Sequence, residues 1–323
     1  MTKIATRSTA SVLCFAAIFA CSASVSADPV NQSPPSAASR AALTQKPAKK
    51  ATASVNNQVK AFNAPASLAL TNAAALSSFR VKYDNGDHAL RSVNVAKQPD
   101  QTAGMWFSDS NPDDPITANA TWWVIPGATG GEISTDISSG EEFNIKLPAG
   151  PEGHRLVLGG FKVTVGGSTS IVENGEVQIG RFALRMRDPY PESPQRMASR
   201  ISGTVFTNNG TRSINVVVQY VWVPNSYIAR SGSVRHDTTL DQARASRPTT
   251  NVRSIAKGVG QMPSSERYLI QSFDLSFANG THNMLGMGVH LNGTDGAMTE
   301  AVTWQDNNRD DPINWEVSYL QMN

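Results

Sequence analysis

The chain has 323 residues, of which 40% are hydrophobic and 17% are charged, a composition typical of a folded protein with a polar surface. Its 28 basic residues nearly balance its 26 acidic ones, which argues against nucleic acid as the main ligand. No stretch after residue 27 is apolar for long enough to form a membrane helix, so no transmembrane segment is expected.

Residues 1–27 have the features of a secretory signal peptide. Two basic residues precede an apolar stretch over residues 12–20, and small residues precede Asp28. Cleavage there would leave the mature chain without a thiol, because both cysteines, Cys14 and Cys21, lie in the removed segment. The sequence predicts a secreted or periplasmic protein, and an outer-membrane lipoprotein anchored at Cys21 is the alternative.

Residues 28–65 are rich in Ala, Pro, Ser and Lys and contain few large apolar side chains. Such a segment buries too little surface to offset the loss of chain entropy on folding. The composition therefore predicts a disordered linker.

An internal repeat follows this segment. Each unit contains strands with alternating apolar and polar residues, a turn made of Asn-Gly or Gly-Gly, and a closing strand. The Asn-Gly turns at Asn85 and Asn279 predict β-hairpins. The three units comprise residues 66–126, 127–224 and 266–323. Residues 225–265, between the second and third units, are predicted to form a long basic loop.

The repeat predicts an all-β fold in which tandem related four-stranded units form one or more β-sandwiches. A pseudo-threefold β-trefoil or prism is the alternative. The unequal sequence spacing of the matched residues Phe79, Phe161 and Phe273 counts against that alternative.

The first and third units share an acidic turn. Alternate side chains of such a loop can point toward one calcium ion, which takes six to eight oxygen ligands. The predicted metal ligands are Asp109, Asn111, Asp113 and Asp114 in the first copy and Asp306, Asn308, Asp310 and Asp311 in the second. An Asx-turn, in which Asp and Asn side chains bond to the local backbone, is the alternative. The middle unit has Asn208, Gly210 and Arg212 where ligands would stand.

Tryptophan supplies the remaining candidates for ligand contact, because sugar rings stack on exposed indole faces. The predicted ligand-binding residues are Trp122, Trp123, Trp304 and Trp315. Adjacent residues of a strand point to opposite faces, so Trp122 and Trp123 cannot both lie in the same core. The alternative is that these side chains pack in the protein core.

The sequence contains no nucleophile elbow, zinc-protease motif or phosphate loop. The leading hypothesis is a secreted, non-enzymatic protein that binds glycans or other cell-surface ligands, assisted by calcium, with avidity supplied by repetition. One alternative is a structural or assembly module that binds partner proteins. Another is a secreted hydrolase whose active site is built from loops.

Overall fold

The all-β fold class is confirmed by the computed structural model, in which nearly all described residues lie in β-strands. The described residues are 48–59, 62–64, 74–83, 92–97, 103–108, 115–166, 178–188, 198–208, 213–237, 252–255, 267–277, 284–294, 297–306 and 313–323. Among these residues, no helix has the length and apolar character that a membrane crossing requires.

The strands of the described residues fall into three sets of six in chain order. Set 1 comprises β1 (Lys49–Val59), β2 (Phe62–Ala64), β3 (Ala74–Tyr83), β4 (Ser92–Lys97), β5 (Ala103–Ser108) and β6 (Pro115–Val124). Set 2 comprises β7 (Thr129–Ile137), β8 (Glu142–Lys146), β9 (His154–Val165), β10 (Gln178–Arg187), β11 (Arg200–Asn208) and β12 (Ile214–Pro224). Set 3 comprises β13 (Ile228–Asp237), β14 (Val252–Ile255), β15 (Tyr268–Phe277), β16 (Met284–Thr294), β17 (Ala297–Asp306) and β18 (Ile313–Met322).

Three six-stranded antiparallel sheets share one pattern of strand order. Sheet I has the order β1-β6-β3-β16-β17-β14, sheet II has β13-β18-β15-β10-β11-β8, and sheet III has β2-β5-β4-β9-β12-β7. Each sheet therefore joins the first, sixth and third strands of one set to the fourth, fifth and second strands of another. The exchange closes in a ring, so no set forms a complete sheet by itself. Each repeated unit has six strands rather than the four expected. The same strand order recurs in all three sheets, so the topology has a pseudo-threefold pattern.

Two segments differ from the prediction made from composition. The predicted disordered linker, residues 28–65, contains β1 and β2, and the predicted basic loop, residues 225–265, contains β13 and β14. All four strands lie at the edges of sheets. An edge strand pairs with a neighbour on one side alone, and a small residue there leaves room for a large side chain of that neighbour. Gly232 of β13, for example, lies opposite Tyr319, and a Cβ there would stand 2.4 Å from the tyrosine hydroxyl oxygen.

The predicted hairpins are wrong, because consecutive strands β3 and β4 lie in different sheets. β3 pairs with β6 and β16, whereas β4 pairs with β5 and β9. Likewise, β15 pairs with β10 and β18 and not with β16. The Asn-Gly turns themselves lie outside the described residues. Alternation of apolar and polar residues assigns side chains to faces but does not specify which strand lies beside which.

The main core lies where the third strands of the three sets, β3, β9 and β15, contact one another. Phe79, Phe161 and Phe273 occupy matched positions on these strands and are at most 1% exposed. Their ring centroids are 5.0, 5.5 and 5.7 Å apart. Because each ring comes from a different set, one aromatic cluster joins all three sheets. Unequal spacing in sequence is thus compatible with threefold packing, since most of the extra residues lie between strands.

A β-bulge interrupts the same place in each third strand. The extra residues are Ser77 in β3, Gly159 in β9 and Gln271 in β15. A bulge bends its strand and interrupts the hydrogen-bond ladder locally. Beside the bulges of β9 and β15, the surface has a depression.

Candidate ligand-binding site

The predicted calcium ligands fall almost entirely outside the described residues. These are Asp109, Asn111, Asp113, Asp114, Asn308, Asp310 and Asp311, whereas Asp306 is the last residue of β17. The two acidic turns connect the fifth strand to the sixth in sets 1 and 3, so they occupy matched positions in the repeat. Within the part of the chain that the structure describes, no group of three or more His, Cys, Asp or Glu side chains is arranged to hold a metal ion. Calcium binding at the turns stays a prediction.

Three of the four predicted tryptophans are buried. Trp122, Trp315 and Trp123 are 0%, 2% and 9% exposed. Trp122 donates a hydrogen bond from Nε1 to the carbonyl oxygen of Gly159 at 2.9 Å, which ties sheet I to the bulge of β9. A buried indole cannot offer its face to a sugar ring, so the core interpretation replaces glycan stacking for these three residues. Trp304 lies in β17 opposite Met287.

Trp122 and Trp123 do point into different apolar clusters, as their adjacency predicts. Trp122 belongs to the main core. Trp123 belongs to a second cluster, which collects matched residues from all three sheets, such as Ala75, Val157 and Leu269. The cluster therefore joins the corresponding ends of the three sheets.

The first depression, called here the β9 depression, has a volume of about 180 Å³. Residues of β4, β7, β9 and β12 line it, together with Ala74 at the start of β3. Its polar side chains are those of Lys97, Glu132, Gln219 and Tyr220.

Gln219 organises the β9 depression. Its Oε1 accepts a hydrogen bond from the backbone N–H of Lys97 at 2.8 Å, and its Nε2 donates to the carbonyl oxygen of Lys97 at 2.8 Å. The side-chain amide thus substitutes for a backbone partner where β4 ends. Gly160 is required beneath this contact, because a Cβ there would lie 3.0 Å from Oε1 of Gln219 and 2.6 Å from the carbonyl oxygen of Val95.

Charged groups of both signs meet at this amide. The Nε2 of Gln219 also donates to the Glu132 carboxylate at 3.0 Å. Burial lowers the pKa of the Lys97 amine, and the nearby Glu132 carboxylate opposes this shift. Tyr220 borders the same space, with its hydroxyl oxygen 2.5 Å from where a Cβ on Gly131 would be. One amine, one carboxylate, one amide and one phenol therefore lie around a small open volume.

The pseudo-threefold register gives Lys97, Glu132 and Gln219 two counterparts each, one in each of the other two sheets. The counterparts are Met186 and Leu291 for Lys97, Thr52 and Ser233 for Glu132, and Thr121 and Ser318 for Gln219. Thr52 and Thr121 occupy in sheet I the positions that Glu132 and Gln219 have in sheet III. Their hydroxyl oxygens lie 3.4 Å apart. Because the other two sheets keep the same strand order without the charged set, the fold does not require that set.

A second depression, the β15 depression, lies at the corresponding place in sheet II and has a volume of about 290 Å³. Asp274 at its border accepts hydrogen bonds from Nε and Nη2 of Arg181 at 3.1 and 2.8 Å, and from Nη2 of Arg185 at 2.7 Å. The hydrogen bonds to Asp274 raise the pKa of the Arg181 guanidinium. Arg187, Ser272 and Glu316 also line this depression.

Asp188 links sheets II and III beside the β15 depression. Its carboxylate accepts hydrogen bonds from Nε of Arg155, from the backbone N–H of Leu156 at 2.7 Å and from Nε2 of Gln271 at 2.9 Å. Gln271 is the bulge residue of β15, so this network fixes the bulge against β9. Donors on both strands thus hold the border of the depression in one geometry.

Sequence reasoning did not identify Lys97, Glu132, Gln219 or Tyr220. The available signal is the difference in charge between matched positions of the repeat. This difference in charge can be recognised only when the strand register and the bulges are known, since a one-residue shift pairs each position with the wrong counterpart.

No protein-family model matches the chain, and no curated protein shows significant similarity to it. The geometry of the two depressions is therefore the basis for inferring function.

Proposed function

We propose that the protein is a secreted, non-enzymatic binding protein for glycans and that the β9 depression contacts one sugar residue of the ligand. The observation that carries this proposal is the meeting of two charged residues, Lys97 and Glu132, with the amide of Gln219 at one of three equivalent positions in the fold. Gln219 also holds the backbone of β4, but the other two sheets keep the same strand order with uncharged residues at these positions, so a role in binding accounts for the amine of Lys97 and the carboxylate of Glu132.

The chemistry of the β9 depression suits hydroxyl groups. Glu132 is an acceptor, Lys97 is a donor, and the phenol of Tyr220 is both. Both N–H groups of the Gln219 amide are already donated to Lys97 and Glu132, so Gln219 can offer a ligand only the second lone pair of Oε1. Ligand sites commonly fix orientation with a few such polar groups. These groups stand on paired strands, and the bonds between Gln219 and the β4 backbone hold them before a ligand arrives.

The size of the depression favours part of an extended ligand. Its volume of about 180 Å³ lies below the ~300–1,000 Å³ of sites that enclose drug-sized molecules. One ring of a polysaccharide or glycoconjugate would sit in the depression while the neighbouring rings stay in solvent. Contacts repeated along a polymer or on a cell surface would then add avidity.

Binding is better supported here than glycoside hydrolysis. Hydrolysis of this type uses two carboxyl groups ~5–9.5 Å apart on either side of the scissile bond. Among the described residues that line the β9 depression, Glu132 is the one carboxylate. Calcium at the acidic turns would assist binding by ordering those turns, a proposal that rests on their Asp and Asn pattern alone.

A glycan array with the mature chain, in calcium and in chelator, tests the proposal. The test variant carries Lys97→Leu, Glu132→Thr and Gln219→Thr, which are the residues that sheet I has at these places. We expect the variant to fold and to bind at least tenfold more weakly than the wild type.

A matched control exchanges residues at the same positions of sheet I. Thr52→Ser with Thr121→Ser installs the residues of sheet II and should leave glycan binding unchanged. Wild-type affinity in the triple variant would refute the assignment of the site. Failure of the wild type to bind any glycan, together with capture of a protein partner, would favour the assembly module instead.

A further inference from the structure

A row of three basic side chains crosses the outer face of sheet II. Lys146 of β8 lies opposite Arg200 of β11, and Arg200 lies opposite Arg187 of β10. The residues beside them, Ile145, Ile201 and Met186, pack in or against the main core, so the basic side chains lie on the opposite face. Adjacent strands are ~4.8 Å apart, and the row therefore spans about 10 Å.

This arrangement opposes sheet stability. Like charges directly opposite each other on neighbouring strands repel. Lys146 and Arg187 are exposed and Arg200 is half-buried. Among the described residues, no carboxylate lies within ion-pair distance of the three, and Arg200 donates only to the neutral Oδ1 of Asn144, at 3.3 Å. A destabilising row that the described acidic residues do not neutralise is suited to an external anion.

The row continues into the β15 depression. Arg187 lines that depression, and Arg185 lies two residues before it in β10, on the same face of the sheet. Arg181 and Arg185 share the single carboxylate of Asp274, so these three groups keep one net positive charge beside the row. The basic row and this pair of arginines thus supply the excess positive charge, and the depression supplies polar groups beside it.

We propose that the basic row binds the carboxylate or sulfate groups of an acidic polysaccharide. A guanidinium presents paired N–H donors that match the two oxygens of such groups. Three cations at the spacing of strands suit a polymer with repeated anionic groups rather than a single small anion. The next row on the same face consists of Asn144, Ser202, Arg185 and Ser272, of which Asn144 and Ser272 can bond to sugar hydroxyls.

Nucleic acid fits the surface less well. Sites for single strands combine cations with aromatic side chains on which bases stack. Neither of these two rows contains an aromatic residue, and the basic and acidic residues of the whole chain nearly balance. The inference goes beyond glycan binding at the β9 depression, because it concerns a different sheet and a charged ligand and stands independently of that site.

The test measures binding of the mature chain to polygalacturonate and dextran sulfate by isothermal titration calorimetry. Uncharged dextran and single-stranded DNA of equal charge are the comparison probes. We expect binding to both acidic polysaccharides, weakened by added sodium chloride because the contacts are ionic, and no binding to dextran.

Two double variants separate the row from general charge. Lys146→Gln with Arg187→Gln removes two exposed cations from the row and should weaken binding at least tenfold. Lys49→Gln with Lys50→Gln removes two exposed cations from β1 and should change it less than twofold. The row variant should melt no lower than the wild type, because a repulsion is relieved. Equal losses in the two variants, tighter binding to DNA, or no binding to either acidic polysaccharide would overturn the proposal.

Discussion

Replacing Phe161 by alanine should destabilise the whole fold and not one repeat. The ring is fully buried, and its centroid lies 5.0, 5.1 and 5.7 Å from those of Phe79, Phe182 and Phe273. Truncating a buried phenylalanine to alanine costs about 3–5 kcal/mol. The upper half of that range is expected, because three aromatic pairs are lost and each adds about 0.5–1.5 kcal/mol beyond burial. Total stabilities are about 5–15 kcal/mol, so the loss is a large fraction.

Urea unfolding followed by tryptophan fluorescence and by far-ultraviolet circular dichroism would measure this loss. The ring of exchanged strands predicts one transition, with the same midpoint by both probes and a lower midpoint in the variant. Phe143→Ala removes the same atoms from the edge strand β8, where the side chain is 6% exposed, and should cost less. Two separate transitions, of which only one shifts, would refute the shared core and show that the sets fold independently.

Four further predictions concern single features. Lys97→Met should have a larger free energy of unfolding in urea than the wild type at a pH where the native lysine is charged. Since burial lowers the pKa of Lys97 in the folded protein, this difference in free energy should shrink as the pH rises through that pKa toward 10.5. Asp274→Asn should lower the free energy of unfolding by about 1–2 kcal/mol. The expected loss is small because solvent screens the two paired arginines, which are a third or more exposed, and added salt should reduce it further. Calcium should raise the melting temperature by binding two ions, and Asp109→Asn with Asp306→Asn should abolish the rise; no calorimetric binding at millimolar calcium would favour Asx-turns. Mass spectrometry of exported protein should find Asp28 at the N-terminus, and a lipid-modified cysteine there would contradict the signal-peptide assignment.

The repeat was predictable because its signals are local. Matched phenylalanines, alternating strands and acidic turns recur in order, and the structure places the matched phenylalanines in one cluster and both turns between fifth and sixth strands. The exchange of strands between sets was not predictable. A period of two fixes which face a side chain occupies, but each strand could satisfy its backbone with any neighbour of suitable length.

The first strand of each set was missed or incompletely recognised for a physical reason. Strands β1, β7 and β13 place Ala51, Gly131 and Gly232 opposite the large aromatic residues of the sixth strands. A Cβ on either glycine would lie within 2.5 Å of a tyrosine hydroxyl oxygen, so small residues are required. A sequence of small and polar residues resembles that of a linker, although the aromatic side chains of the neighbouring strand cover the small residues of these strands. The candidate site was missed for a related reason, because it depends on the bulge of β9 and on a side chain that bonds to the backbone of another strand.

Ligand protection of Lys97 tests the central claim most directly, namely that a glycan binds in the β9 depression. The mature chain would be treated briefly with an acetylating reagent, with and without a saturating concentration of the best glycan from the array, and acetylation of each lysine would be quantified by mass spectrometry. Lys97 should be modified at least fivefold more slowly when the glycan is bound, while the exposed lysines Lys49 and Lys50 keep their rates. Equal modification of Lys97 in both samples, with the glycan demonstrably bound, would contradict the account.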